Sequence, residues 1–346
     1  MISKKISLSI LMLISGILVF SQNIDTQEFK PSGKVILRTF FDFSQGFSQN
    51  SDHTGFNITR AFLGYSYQFT PTLSATLIVD AAAGNANGNI EPHLRNAFVS
   101  WTPSKLTLHV GASELYQFLE QEKYWRLRYL LPTAQALYGF GHAADLGVTA
   151  VWNFNKFLSV DASVLDGEGY KKIVQNSSTR YAAGISVHPI NNFILRAYAD
   201  IYNQSAQMRD VLPETVNVTQ TVNYVNQTAF SFFAGYLNSF FSGGIECNKV
   251  WNKGFIQGKN LYGFSGFASV NFAKKWLAFA RYDRTNSQRP AAFTADWNTT
   301  DGQFFITGVQ FQPIKQLKIA PNFRYNYNKL TNKKDSYLFV NMEFVL

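Results

Sequence analysis

The chemistry open to this sequence rests on a small set of basic side chains. Arg38, Arg60, Arg196, Arg281, Lys318 and Arg324 each fall on the polar parity of an alternating stretch, and Lys123, Arg126 and Arg128 share one charged segment. A guanidinium is a planar fork that grips phosphate or carboxylate through two hydrogen bonds, so these groups around a watery space would attract anions. The same parity also carries Lys34 and Arg180, together with Asp42, Asp80, Asp161, Asp200, Glu246, Asp283 and Glu343. Two readings therefore stay open. One is dedicated anion recognition; the other is a mixed polar surface that pairs its own charges and holds water.

Catalytic and metal chemistry find no such foothold. His53, His93, His109, His142 and His188 show no ligand spacing. Ser113 and His142 flank one long segment, but nothing completes a triad with them. Gly139-Phe140-Gly141 lacks the basic residue and helix context of a nucleotide loop. A single cysteine, Cys247, rules out a disulfide framework and, lying far from the N-terminus, a lipoprotein anchor. No catalytic residue, metal site or cofactor is expected.

The elements that must position the basic residues are strands. From Gly33 to the last residue, stretches of period two are joined alternately by very short and by longer connections. The short ones fall at 69–73, 101–106, 154–157, 188–193, 237–240, 272–276 and 311–317, each a Pro, Asn or Lys turn between aromatic or aliphatic residues. Such rings fit a membrane-water boundary. The longer, polar connections fall at 48–53, 84–91, 114–141, 166–178, 204–226, 251–260, 286–301 and 329–334. Seven turns and eight loops join 16 strands with both termini on one side.

Strand length separates a membrane barrel from a soluble sandwich. Many stretches run 10 to 12 residues, close to the roughly 9 to 11 of a tilted transmembrane strand and above the ~5 to 6 of globular sheets. Residues 317–328 alternate Leu317, Ile319, Phe323, Tyr325 and Tyr327 against Lys318, Asn322, Arg324, Asn326 and Asn328. Closure leaves no unpaired edge for lipid to meet. One stretch resists the pattern: the apolar parity of Ala97, Val99 and Trp101 carries Arg95 toward lipid, which calls for a bulge or a high position.

Lys4 and Lys5, an apolar run over residues 6–20 and Val19-Phe20-Ser21 before Gln22 read as a secretory signal. The expected organisation is a cleaved signal peptide at 1–21, a short periplasmic segment at 22–32 and an all-β, 16-stranded antiparallel transmembrane barrel at 33–346. Residues 114–141 form its long third loop. Aromatics are abundant, with 32 Phe, 17 Tyr and 6 Trp, and the net charge is +9. A secreted chain without basic clusters points that charge at anionic solutes or lipopolysaccharide rather than nucleic acid.

The order of parts resembles the phosphate-selective porin O and P type. It rests on Arg60-Ala61-Phe62-Leu63-Gly64-Tyr65, on Leu94-Arg95-Asn96-Ala97-Phe98-Val99-Ser100-Trp101, on the long third loop, and on Phe323-Arg324-Tyr325-Asn326-Tyr327 before an apolar terminal strand. The end, Phe344-Val345-Leu346, departs from the terminal aromatic usual in such barrels. The resemblance implies an outer-membrane channel for passive diffusion of small hydrophilic solutes, with homotrimers common in the family and monomer or trimer left undecided. Phosphate specificity is not carried over. Porin-like architecture implies that the third loop folds into the barrel, which makes Lys123, Arg126 and Arg128 the candidate filter; a cap over the mouth is the other placement. Only about 11 residues between cleavage site and Gly33 leave no room for a plug domain. The competing functions are an outer-membrane lipid or peptide hydrolase and a β-rich surface adhesin.

Overall fold

The computed structural model describes residues 29–48, 54–83, 89–171, 173, 178–205 and 222–346. The expected signal peptide, residues 22–28 and parts of the first, second, fourth and fifth loops lie outside the described residues. Within the unit from Ser32 to Leu346 the chain forms sixteen strands. They are β1 (Ser32–Gly46), β2 (Thr54–Gln68), β3 (Leu73–Ala83), β4 (Ile90–Trp101), β5 (Leu106–Glu114), β6 (Ala144–Asn153), β7 (Leu158–Leu165) and β8 (Arg180–Val187). The second half holds β9 (Phe193–Tyr202), β10 (Gln227–Leu237), β11 (Phe241–Trp251), β12 (Asn260–Ala273), β13 (Trp276–Gln288), β14 (Gly302–Ile314), β15 (Leu317–Asn328) and β16 (Lys333–Val345). Each pairs antiparallel with its neighbours in sequence, and β1 pairs with β16 to close the barrel.

The seven short connections are the predicted tight turns, and side-chain oxygens build several of them. Asn155 Oδ1 accepts the N–H groups of Phe157 and Leu158 at 2.8 and 3.0 Å. Asn238 Oδ1 does the same for Phe240 and Phe241 at 2.9 and 2.6 Å. These turns let an Asn stand in for a backbone acceptor, which is why Asn recurs there. The rings beside them, Phe69, Phe154, Phe157, Phe240, Phe272 and Trp276, are all exposed.

Period-two alternation sorts the two faces. In β8 Arg180, Ala182, Gly184 and Ser186 are buried, whereas Tyr181, Ala183 and Ile185 are exposed. Leu63, Leu77, Val110, Val148, Val164 and Ile245 on other strands also face outward and exposed. A barrel this greasy on its outside and charged on its inside is inverted relative to a soluble protein, and hydrocarbon is the solvent that fits it. The conflict at Arg95 is resolved by a bulge. The β3–β4 register jumps so that Val79 opposes Leu94 while Ile78 opposes Asn96, and Arg95 is the extra residue, turned inward onto Glu114 at 2.7 Å.

Candidate functional site

The third loop occupies the interior of the barrel. It opens with helix α1 (Tyr116–Trp125), turns at Arg126, whose φ of 60° is left-handed, and adds the single turn α2 (Ala134–Leu137) before returning to β6. The Arg126 N–H bonds Glu122 O at 3.0 Å, so the chain leaves the helix sharply and lays Leu127 to Leu131 against the inward-facing wall.

Apolar contacts hold the loop to inward-facing wall residues. Trp125, Leu127, Tyr129 and Leu130 pack with Phe40, Phe62, Leu277, Phe279, Ile306 and Ala320. Tyr124 meets Ile194 and Phe233, while Phe140 meets Ala229, Val250 and Leu261. Wall polar groups then bond the loop backbone and its tyrosines. Arg281 donates to Pro132 O at 2.6 Å, Arg324 to Leu130 O at 3.2 Å and Ser242 to Tyr124 O at 2.5 Å. Tyr138 donates to Asp283 at 3.0 Å, Tyr129 to Gln310 at 3.0 Å and Gln135 to Glu246 at 3.2 Å. Of the two placements open from sequence, the structure has the loop inside the barrel rather than over its mouth.

The inward basic residues are mostly matched to carboxylates. Arg60 meets Asp80 at 3.0 Å, Arg196 meets Asp161 at 2.7 Å, Arg281 meets Asp283 at 2.8 Å, and Glu343 takes both Arg38 and Lys318, the latter at 2.6 Å. Arg324 bonds the amide oxygens of Asn322 and Asn341, at 2.9 and 2.7 Å, and lies over the Phe339 ring. In the loop, Lys123 pairs with Glu120 at 2.6 Å and buried Arg128 pairs with Glu122. Burial pulls the Arg128 guanidinium down from its usual pKa, with Glu122 opposing. Burial pushes Tyr116 and Tyr124 up to about 12, which keeps both phenols neutral. Arg126 differs from its neighbours: it is exposed and, among the described residues, its side chain has no carboxylate partner.

The anchoring residues Trp125, Tyr129, Gln135 and Tyr138 were not among the sequence candidates. One signal for their docking ground exists. Where the loop presses on the wall, both strand faces are apolar, as in Phe40-Phe41 and Trp276-Leu277-Ala278-Phe279, because one face meets lipid and the other meets the loop.

The profile of the phosphate-selective porin O and P family matches residues 34–237. This chain belongs to that family. The porin also shares its fold with solved outer-membrane structures. Salmonella typhi OmpF, in complex with daunomycin, is 12% identical with a TM-score of 0.66, covering 91% of this chain and 97% of that one. The anion-selective porin of Comamonas acidovorans is 9% identical with a TM-score of 0.62, covering 92% and 100%. Vibrio cholerae OmpT in its trimer form is 12% identical with a TM-score of 0.60, covering 91% and 99%. Among curated proteins no sequence match is found. The porin resides in the outer membrane and passes small hydrophilic solutes by passive diffusion.

Proposed function

We propose that the porin favours anions modestly, through a constriction formed by its third loop, and works without catalysis. The observation that carries this reading is the contrast at the loop. Arg126 is exposed and unpaired among the described residues, whereas Arg38, Arg60, Arg128, Arg196, Arg281, Lys123 and Lys318 are each set against a carboxylate. Paired charges cancel at a distance, so the net field felt by a passing ion comes from the few left over. That gives a weak filter rather than a dedicated phosphate ladder. The anion selectivity of the Comamonas acidovorans porin is consistent with it. Reversal potentials of the wild type and R126Q in a salt gradient test the reading; equal values overturn it.

Residues 1–21 act as a cleaved signal peptide and 22–32 as a periplasmic lead-in under the same reading. A homotrimer is the assembly it favours, supported by the trimer form of the Vibrio cholerae neighbour. Mass measurement of the exported protein and light scattering of the purified complex test these two points.

A further inference from the structure

Charged side chains are missing from the outward faces of β6 to β10, where Val148, Val164, Ile185, Ala197 and Phe232 typify the lining. The next strands break this rule. Lys249 on β11 and Arg284 on β13 point outward, and no carboxylate stands on the outward faces of β10 to β14. The β11–β12 and β12–β13 registers set Lys249 opposite Tyr262 and Arg284 opposite Phe264, so the two cations flank one pair of rings.

Together they line a depression of about 480 Å³ on the outer wall, with Cys247 and Phe230 on its apolar side. Lys249 Nζ lies 4.3 Å from the Trp251 ring and 4.9 Å from the Tyr262 ring. A third cation reaches the same place: Lys329 Nζ donates to Asn286 Oδ1, in the depression's rim, at 3.0 Å. Lys249 stands two residues before the end of β11 and Arg284 four before the end of β13, on the side of the long loops. The depression therefore faces the outer leaflet, near the headgroups.

We propose that this depression binds a phosphorylated glycolipid of the outer leaflet, its phosphates held by Lys249, Arg284 and Lys329 and its acyl chains laid on Phe230 and Phe264. The inference rests on the placement of the outer wall in the membrane and not on the ion preference of the pore. A cation facing lipid is costly unless an anion shares its depth, and among the described residues the outward faces of β10 to β14 carry none. Free phosphate fits less well, because the space far exceeds one phosphate and much of its lining is apolar.

The sole cysteine, Cys247, is exposed in this depression and can carry a bimane label. Titrating the labelled full-length porin in detergent with bis-phosphorylated lipid A should shift the emission. Dephosphorylated lipid A, and the K249Q/R284Q variant with the intact lipid, should each need at least ten-fold more lipid. Native mass spectrometry of unlabelled protein should show the same order of lipid retention. Equal binding by the dephosphorylated lipid or by the variant overturns the proposal. So does an identical emission shift from inorganic phosphate, which would assign a free-anion site. Cross-linking of Cys247 between copies would assign the wall to a subunit contact and overturn it as well. Unit conductance of K249Q/R284Q should equal that of the wild type, so loss of lipid is separable from loss of the channel.

Discussion

Arg281 and Asp283 stand two residues apart on the inward face of β13 and close an ion pair at 2.8 Å with neither side chain reaching solvent. The pair also anchors the third loop, since Arg281 donates to Pro132 O and lies 5.0 Å from the Trp125 ring while Asp283 accepts from Tyr138. An arginine placed where an anion filter would want it is thus committed to structure.

Replacing Asp283 by Asn leaves a buried guanidinium without its counter-charge. The variant should lose about 3–5 kcal/mol of stability. The measurement is the temperature at which the folded band on a gel gives way to the unfolded one; an unchanged transition contradicts the pairing.

Arg126 and Arg128 should behave differently although the sequence presents them as equivalents. At about 10 Å through water one charge is worth roughly 0.4 kcal/mol, or about two-fold in relative permeability. R126Q should lower the anion-to-cation permeability ratio by about that factor. R128Q, which breaks the buried contact with Glu122, should show itself chiefly as lost stability of the folded loop. The readouts are reversal potential and thermal transition.

Glu343 offers a change of opposite sign. It is shared by Arg38 and Lys318, whose side chains are 31% and 22% exposed. E343Q removes one negative charge beside two water-accessible cations and should raise the anion-to-cation ratio by about two-fold, by the same Coulomb estimate. A fall in that ratio would show that these cations do not face the conduction path.

Trp125 fastens the loop by packing edge-on to Phe267, with centroids 5.4 Å apart, and by donating to Leu131 O at 2.8 Å. W125A should cost about 3–5 kcal/mol and free the loop, giving larger and noisier conductance steps. Y129F removes only the hydrogen bond to Gln310, worth about 1 kcal/mol, and should conduct like the wild type.

The barrel was legible in the sequence because strand periodicity is local. The parity of residues 317–328, the Asn turns at 155 and 238 and the misfit at Arg95 each map onto a strand, a turn or a bulge. The inward carboxylates were legible too, but their partners were not. Arg196 with Asp161 and Lys318 with Glu343 join residues from different strands, so the match depends on register and side-chain reach. The loop's path was the least visible part. It is fixed by Trp125, Tyr129 and Tyr138 meeting wall residues as distant in sequence as Phe40, Asp283 and Gln310, and no spacing within residues 114–141 encodes that.

The most direct test of a water-filled path beside this loop is single-channel recording of the purified porin in a planar bilayer under a salt gradient. Discrete conductance steps with a reversal potential displaced modestly toward that of the anion are the expected result. Folded barrel that inserts without producing steps, or steps that favour cations, would contradict the account.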